Sequence, residues 1–446
     1  MKADARTLRD LDVLPGAASG PCLADHLDRT TTRGGRRAFI RRLSNPLGSA
    51  AEIARVQEAL RFLADTPQVD EELPRAGELD PVVHYLGSRY LTLGRGRLPR
   101  RWWQAGVIRL RFPDIHEHAS QGGRGVLLFL SRLGRLAREL EAGPPLLAEM
   151  ASGLLEALDE GPLAGLRDGK GVPGGFDGVL RLDRLLREDA RELLAHLVEE
   201  VHELDALMGM ARLAREEGYS FPRVEEGEAE LVLEGLVHPF VADPVPNDLV
   251  LGEEERVVFL TGPNMAGKST WLKGCGVVVL LAHCGMAVPA RTARMGVYRT
   301  LVAATTTEDR IWDGVSYFLA EVRRVREIVD AVTDEGPCFI LADELFRGTN
   351  VRDALEATTA VLQGLSRARG SRFLVASHLP EVALELEGED AVVFLQVRTT
   401  VEDGVVRFDH RVGPGVSKQR LGMEVLRAEG VLDALEGVRD RTPGSN

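Results

Sequence analysis

The spacing of apolar residues divides the chain into two regimes. Up to about residue 217 they recur every three or four positions, as on one face of a helix. Ile53, Val56, Leu60 and Leu63 predict a helix over 49–66, and helices are also expected within 24–47, over 126–143 and over 146–160. Gly143-Pro144-Pro145 separates the last two. Residues 67–125, with several Pro and Gly, read as less regular, and 161–178 reads as a Gly-rich loop. Leu186, Ala190, Leu193, Leu197, Val201, Leu204, Met208 and Ala211 then mark one helix over about 180–217. At 1.5 Å per residue it would span about 55 Å, which suits a lever, a coiled-coil-like pairing or one long bundle helix.

After "EEGYSFPRVEEGE" the pattern changes. Short β-rich runs occupy 230–236, 256–262, 338–344, 372–378 and 391–397, with helical segments between the last four. Strand–helix alternation predicts a parallel sheet in an α/β domain. The boundary falls near residue 225, giving a mostly α-helical domain over 1–225 and an α/β domain over 226–446.

The second of these runs leads into "TGPNMAGKST" (261–270). Gly262, four residues, then Gly267, Lys268 and Ser269 fit a phosphate-binding loop between a strand and a helix. Free N–H groups at 264–269 and the helix N-terminus would face the phosphates of a nucleotide. Lys268 would reach the β- and γ-phosphates, and the Ser269 hydroxyl would bind Mg2+. "CFILADE" ends a strand in Asp343, a carboxylate near the metal, followed by Glu344, which could orient or deprotonate water. "RFLVASH" ends in His378, a γ-phosphate contact on this reading. Ser316 could cap a helix and turn its N–H groups toward an anion; in ABC-type ATPases that element completes the site of the opposite subunit, so that two copies sandwich two nucleotides. The plain alternative for Ser316 is an ordinary N-cap.

Composition adds little until one local departure. The net charge of −13 argues against a nucleic-acid surface over the whole molecule. Cys22, Cys275, Cys284 and Cys338 lack metal or redox spacing and read as buried thiols of a reducing compartment. "MKADARTLRDLD" has no apolar core, and the uncharged run 274–290 begins on the helix after the phosphate loop, so a cytoplasmic protein with no membrane partner is expected. Residues 86–139, however, hold eleven Arg and only Asp114, Glu117 and Glu139 as acids. Arg95, Arg97, Arg100, Arg101 and Trp102 are candidate DNA contacts, because Arg pairs with phosphates and indoles stack on bases. The alternative is a solvated Arg face over Trp side chains anchored in the core.

The motif set resembles the MutS family of DNA mismatch-repair ATPases. "TGPNMAGKSTWL" is similar to that family's phosphate loop, with Ala266 where Gly is usual; "LADELFRGTNVRDALEAT", "ASHLPEVA" and "GPGVSKQRLGMEVLRAEGV" look like its acidic motif, its histidine and the end of its ATPase domain. Upstream, "LDRTTTRGGRRAFIRRLSNPL" and "ELDALMGMARLAREEGYSFPRV" resemble the start and end of the MutS core. The resemblance implies an α/β ABC-type P-loop ATPase domain preceded by a mostly α-helical core/lever domain. It assigns nucleotide binding to Gly262, Pro263, Asn264, Met265, Ala266, Gly267, Lys268, Ser269 and Thr270, and to His238 and Asn247 of "LVHPFVADPVPNDLVL". It assigns catalysis to Glu344, Lys268 and His378, Mg2+ to Ser269 and Asp343, and a signature loop acting on the opposite subunit to Ser316, Phe318 and Glu321. It further implies a homodimer joined through the ATPase domains, DNA as partner and a repair-protein partner. Four departures qualify it: no mismatch-reading domain is expected, the 161–178 connection is short for a DNA clamp, Pro244 stands where an aromatic usually stacks on adenine, and the C-terminal helix-turn-helix is expected to be reduced or missing. Branched or otherwise structured DNA is therefore the expected substrate, with an ATPase switch acting on a protein partner as the alternative.

Overall fold

The computed structural model describes residues 1–15, 20–90, 92, 98–305, 317–402, 405–417, 430–432, 434 and 435. They form two compact units, one of 1–26, 43–53 and 219–446, the other of 27–42 and 54–218. The units are thus interleaved in sequence, unlike the single boundary near 225 that the apolar pattern suggests.

The first unit is built on strands β1 (Lys2–Ala3), β2 (Arg223–Glu225), β3 (Leu231–Leu236), β4 (Asn247–Leu251), β5 (Val257–Thr261), β6 (Thr292–Gly296), β7 (Thr300–Ala304), β8 (Cys338–Asp343), β9 (Arg372–Ser377), β10 (Val392–Glu402) and β11 (Val405–Pro414). Seven of them make the main sheet in the order β1-β7-β8-β9-β5-β10-β11. Every neighbouring pair is parallel except β10 with β11. A second sheet has the order β2-β6-β3-β4. The N-terminal segment belongs here because β1 pairs with β7 and because Leu8, Leu11 and Val13 are buried.

Alternation along β5 explains the layers. Val257 and Phe259 face one core with Ile328, Leu362 and Val382, from the helices Tyr317–Asp334, Val351–Leu365 and Glu381–Glu385. Val258 and Leu260 are buried on the opposite side, the face covered by the helix Lys268–His283. Gly276 lets that helix approach closely: a Cβ there would lie 2.4 Å from Leu341 Cδ1 and 2.7 Å from Leu11 Cδ2. No helix among the described residues is long and apolar enough to cross a membrane. All four cysteines are buried and free.

The second unit is helical. Residues 67–125 are more regular than their Pro content suggests, with helices Pro67–Glu72, Ala76–Gly87 and Leu98–Arg111 and the start of Pro113–Glu141. Pro67, Pro113 and Pro145 each occupy a first helical turn, where the missing N–H costs nothing. Gly122 lies against the Tyr85 ring, where a Cβ would approach to 2.0 Å. The single helix expected over 180–217 is instead interrupted: Gly178–Arg184 passes through a π turn at Leu185–Asp189 before Arg191–Glu217 begins. Buried Asp183 holds this turn, accepting from Tyr85 and Tyr90 hydroxyls at 2.9 Å and from Arg187 Nε and Nη2 at 2.9 and 2.7 Å. Gly218, in left-handed backbone at φ 63°, ends the last helix.

Candidate nucleotide-binding site

Strand register assembles the site. Thr261 pairs with Ser377, and Asp343 with Ala376. The loop after β5, the acids at the end of β8 and the histidine after β9 therefore emerge together at one sheet edge. In parallel sheets the crevice outside the strands' carboxyl ends is where ligands sit.

The loop turns through left-handed backbone at Met265 (φ 69°) and Gly267 (φ 100°). Gly267 is required twice over, because a Cβ would also lie 3.3 Å from His410 Nδ1. Ala266 is fully buried with negative φ, so its methyl group is accommodated. The helix begins at Lys268, whose buried ammonium donates to the carbonyls of Gly262 at 2.8 Å and Pro263 at 3.1 Å. Burial lowers the Lys268 pKa, while the Glu344 and Asp343 carboxylates pull it back up. Ser269 donates its hydroxyl to Asp343. Burial raises the Asp343 pKa; the Ser269 hydrogen bond opposes this and the Glu344 charge reinforces it.

Glu344 sits at φ 59°. Arg347 Nε approaches one carboxylate oxygen at 2.7 Å, and His378 Nδ1 lies 3.7 Å from the other. His378 is half-exposed. Asn264, Met265, Gly267 to Thr270, Asp343 and Glu344 line a cavity of about 300 Å3. The neighbouring cleft, about 400 Å3, shares Met265, Gly267 and Thr270 and adds His238, Pro244, Asn247, Trp271 and His410.

Among the described residues, two buried donors in that second cleft have no partner, His238 Nε2 and Trp271 Nε1. His238 Nδ1 accepts from the Phe240 N–H at 3.3 Å, which leaves the proton on Nε2. Asn247 spends its amide on the wall: it donates to Val245 and His410 carbonyls at 3.0 Å and accepts from Val412 N at 2.7 Å. His410 was invisible to motif reading. It lies in a strand with no phosphate-binding signature, and the β10–β11 hairpin brings its Nδ1 within 3.0 Å of the Ala266 carbonyl.

Burial also fixes two histidines as neutral. His238 and His283 are each pushed down to about 4 by desolvation. His283 uses both nitrogens, Nδ1 on the Val279 carbonyl at 2.8 Å and Nε2 accepting from Tyr298 N at 3.0 Å. Above about pH 6.5 neither folded nor unfolded forms are protonated; below it the unfolded chain takes up the proton first, so stability falls with pH until about 4. For His283 the loss across that window is expected to reach roughly 3 kcal/mol. Imidazole NMR titration together with denaturation at pH 7 and 5 checks this; a His283 midpoint near 6.5 would contradict it.

Of the signature-loop residues, Ser316 lies outside the described residues. Phe318 and Glu321 turn inward onto their own chain: Phe318 packs against Phe346, and buried Glu321 accepts from the backbone N–H groups of Arg347 and Gly348. Of the candidate DNA contacts, Arg95 and Arg97 also lie outside the described residues. Arg100 is exposed, and Arg101 donates from Nε to Asp177 at 2.8 Å. Trp102 and Trp103 are 55% and 70% exposed, so they do not anchor the core. Phe176 lies beside them, its ring 6.5 Å from Trp102 and 5.6 Å from the Arg109 guanidinium carbon. Arg132 and Arg135 are tied instead to Glu78 and Glu72 of their own unit.

A parallel sheet with a Gly-Lys-Ser loop between strand and helix, and an acidic strand end beside it, defines a P-loop α/β domain. Comparison with known proteins places it further. Residues 258–436 match the family model "MutS domain V". The chain is 35% identical over 252 residues to a DNA mismatch repair protein MutS of Desulfovibrio desulfuricans, covering 54% of this chain and 27% of that protein. A MutS 2 of Halobacterium salinarum is 33% identical over 247 residues, 54% of this chain and 28% of its own. A MutS of Azorhizobium caulinodans aligns over 97% of this chain at 27% identity, covering 57% of the relative. The chain is similar to these MutS proteins over the stretches given, and it spans between about a quarter and three-fifths of their lengths.

Proposed function

We propose that this chain hydrolyses ATP to ADP and phosphate and uses the cycle to control its hold on DNA. The observation that carries the reading is the convergence of Lys268, Ser269, Asp343, Glu344 and His378 at one sheet edge. The phosphates would lie along the loop, with Lys268 leaving its loop carbonyls for the β- and γ-oxygens. The Ser269 hydroxyl and Asp343 carboxylate already face each other, an all-oxygen donor pair that suits Mg2+. That ion, when bound, would neutralise charge developing on the transferred phosphoryl group. Glu344 would take the proton of the attacking water, held in orientation by Arg347, while His378 would donate to the γ-phosphate. The base would enter the adjacent cleft, where His238 Nε2 and Trp271 Nε1 supply unpartnered donors and His410 a ring.

DNA would meet the helical unit, acting as a lever, along Leu98–Arg111. This helix exposes Arg100, Arg109 and Arg111 beside Trp102 and Trp103 and carries no acid in its sequence. The MutS names of the relatives support a repair role. The exposed aromatics favour unpaired or splayed bases of branched DNA, and a dimer through the ATPase domains would pair two sites. The 85% exposed Leu110 on the same helix favours the second reading, a protein partner in place of DNA.

Fluorescence anisotropy with junction, duplex and single-stranded DNA, with and without ATP, tests the reading. Trp102→Ala with Trp103→Ala should weaken binding to single-stranded or branched DNA by about tenfold or more. Arg100→Ala should lower the salt slope by about one. Unchanged affinity and slope in both variants would move the DNA surface elsewhere or favour the protein partner.

A further inference from the structure

The turn after Glu344 is strained. Glu344 and Phe346 both adopt left-handed backbone, φ 59° and 61°, which side chains with a Cβ disfavour. Such conformations persist where the surroundings over-determine them, and they gather at functional sites. Here the strain falls on the residue read as the catalytic base and on the second residue after it.

The surrounding bonds account for its persistence. The Glu344 N–H bonds to the Ala376 carbonyl at 2.9 Å, which fixes the start of the turn to β9. Its far end is held by Glu321, from the helix Tyr317–Asp334. One Glu321 oxygen accepts from Arg347 N and the other from Gly348 N, both at 3.0 Å. Glu321 is only 8% exposed, so these bonds are shielded from competing water. Phe318, one turn earlier on that helix, sets its ring 6.0 Å from that of Phe346, which is 4% exposed. Arg347, whose N–H Glu321 grips, is also the residue whose side chain returns to Glu344.

We propose that Glu321 is a positioning residue for hydrolysis: by gripping two consecutive N–H groups it locks the strained turn and aims the Glu344 carboxylate at the attacking water. The inference rests on the reading of Glu344 as base. A carboxylate suits the task because it offers two acceptors and no donor. An amide offers one acceptor and sets an NH2 group against the second N–H.

The test measures steady-state ATP hydrolysis and fluorescent ATP-analogue binding for the full chain as wild type, E321A, E321Q, E344Q and E321A/E344Q. E321A should lower kcat by about 10- to 100-fold, the scale on which a misplaced catalytic group acts. KM and nucleotide affinity should stay within about threefold, because phosphate-loop contacts are untouched. E321Q should fall between E321A and wild type. E321A should add nothing in the E344Q background, since it acts through a base already removed. Wild-type kcat in E321A, a loss confined to KM or affinity, or losses that multiply in the double variant would each overturn the proposal. If E321A fails to fold, judged by its Tm, the near-isosteric E321Q carries the same readouts, alone and with E344Q. Wild-type turnover in E344Q would overturn it by a separate route, removing the base on which it rests.

Discussion

Glu344→Gln is expected to lower ATP turnover by about 10²- to 10⁴-fold, the range over which a positioned base acts, while nucleotide affinity stays within about threefold of wild type. The loss corresponds to roughly 3–5 kcal/mol of barrier. Glutamine preserves the shape of the side chain and can still accept from Arg347, so the 2.7 Å contact has a replacement. It cannot take a proton. Lys268, Ser269 and Asp343, which would hold the phosphates and Mg2+, stay in place. Single-turnover hydrolysis with a parallel binding titration separates the two effects. Turnover near wild type would remove Glu344 from its role and return the acidic pair to a plain strand cap.

The second large effect concerns stability. Asp205→Ala is expected to destabilise the helical unit by roughly 3–5 kcal/mol. Asp205 is fully buried and accepts from the N–H of Thr31 at 3.0 Å and of Thr32 at 2.8 Å, and from the Thr32 hydroxyl at 2.8 Å. Thr32 in turn caps the helix Arg33–Ser44, its oxygen accepting from Gly35 N at 2.9 Å. Alanine would leave these donors buried with no acceptor, and Arg212 Nη1, 3.7 Å away, without the Asp205 charge. Asp205→Asn, which keeps one acceptor, should cost less. Urea denaturation checks both; an unfolding free energy within about 1 kcal/mol of wild type for Asp205→Ala would show that the cap is satisfied otherwise.

The contrast between these residues explains what the sequence could tell. Asp343, Glu344 and His378 are legible as candidates because they close two continuous apolar runs, Glu344 one residue after Asp343 and His378 one residue after Ser377, and such runs become the buried central strands β8 and β9. The phosphate loop was legible as a local string with its own strand and helix. Asp205 acts 173 residues from Thr32, and Asn247 165 residues from Val412, so no local pattern announces them. His410 needs the β10–β11 hairpin to reach the loop. Glu321 was assigned by resemblance to a loop acting on another subunit, whereas its carboxylate closes on its own chain. The helices within 67–125 are hard to read for a different reason: their Pro and Gly suggest an irregular chain, whereas Pro67 and Pro113 occupy first turns and Pro81 lies within Ala76–Gly87. The interruption near 185 is hidden because Leu186, within the π turn, and Ala190, just after it, keep helical spacing.

The central claim is that the nucleotide state sets the grip on DNA. Its most direct test is the affinity of the Glu344→Gln variant for a branched DNA at fixed salt, measured with ATP and Mg2+, with ADP and without nucleotide. Holding ATP unhydrolysed should change the affinity by about tenfold or more, a coupling of roughly 1.4 kcal/mol, and branched DNA should be preferred to plain duplex. Equal affinity in all three nucleotide states, or no preference among DNAs, would contradict the account.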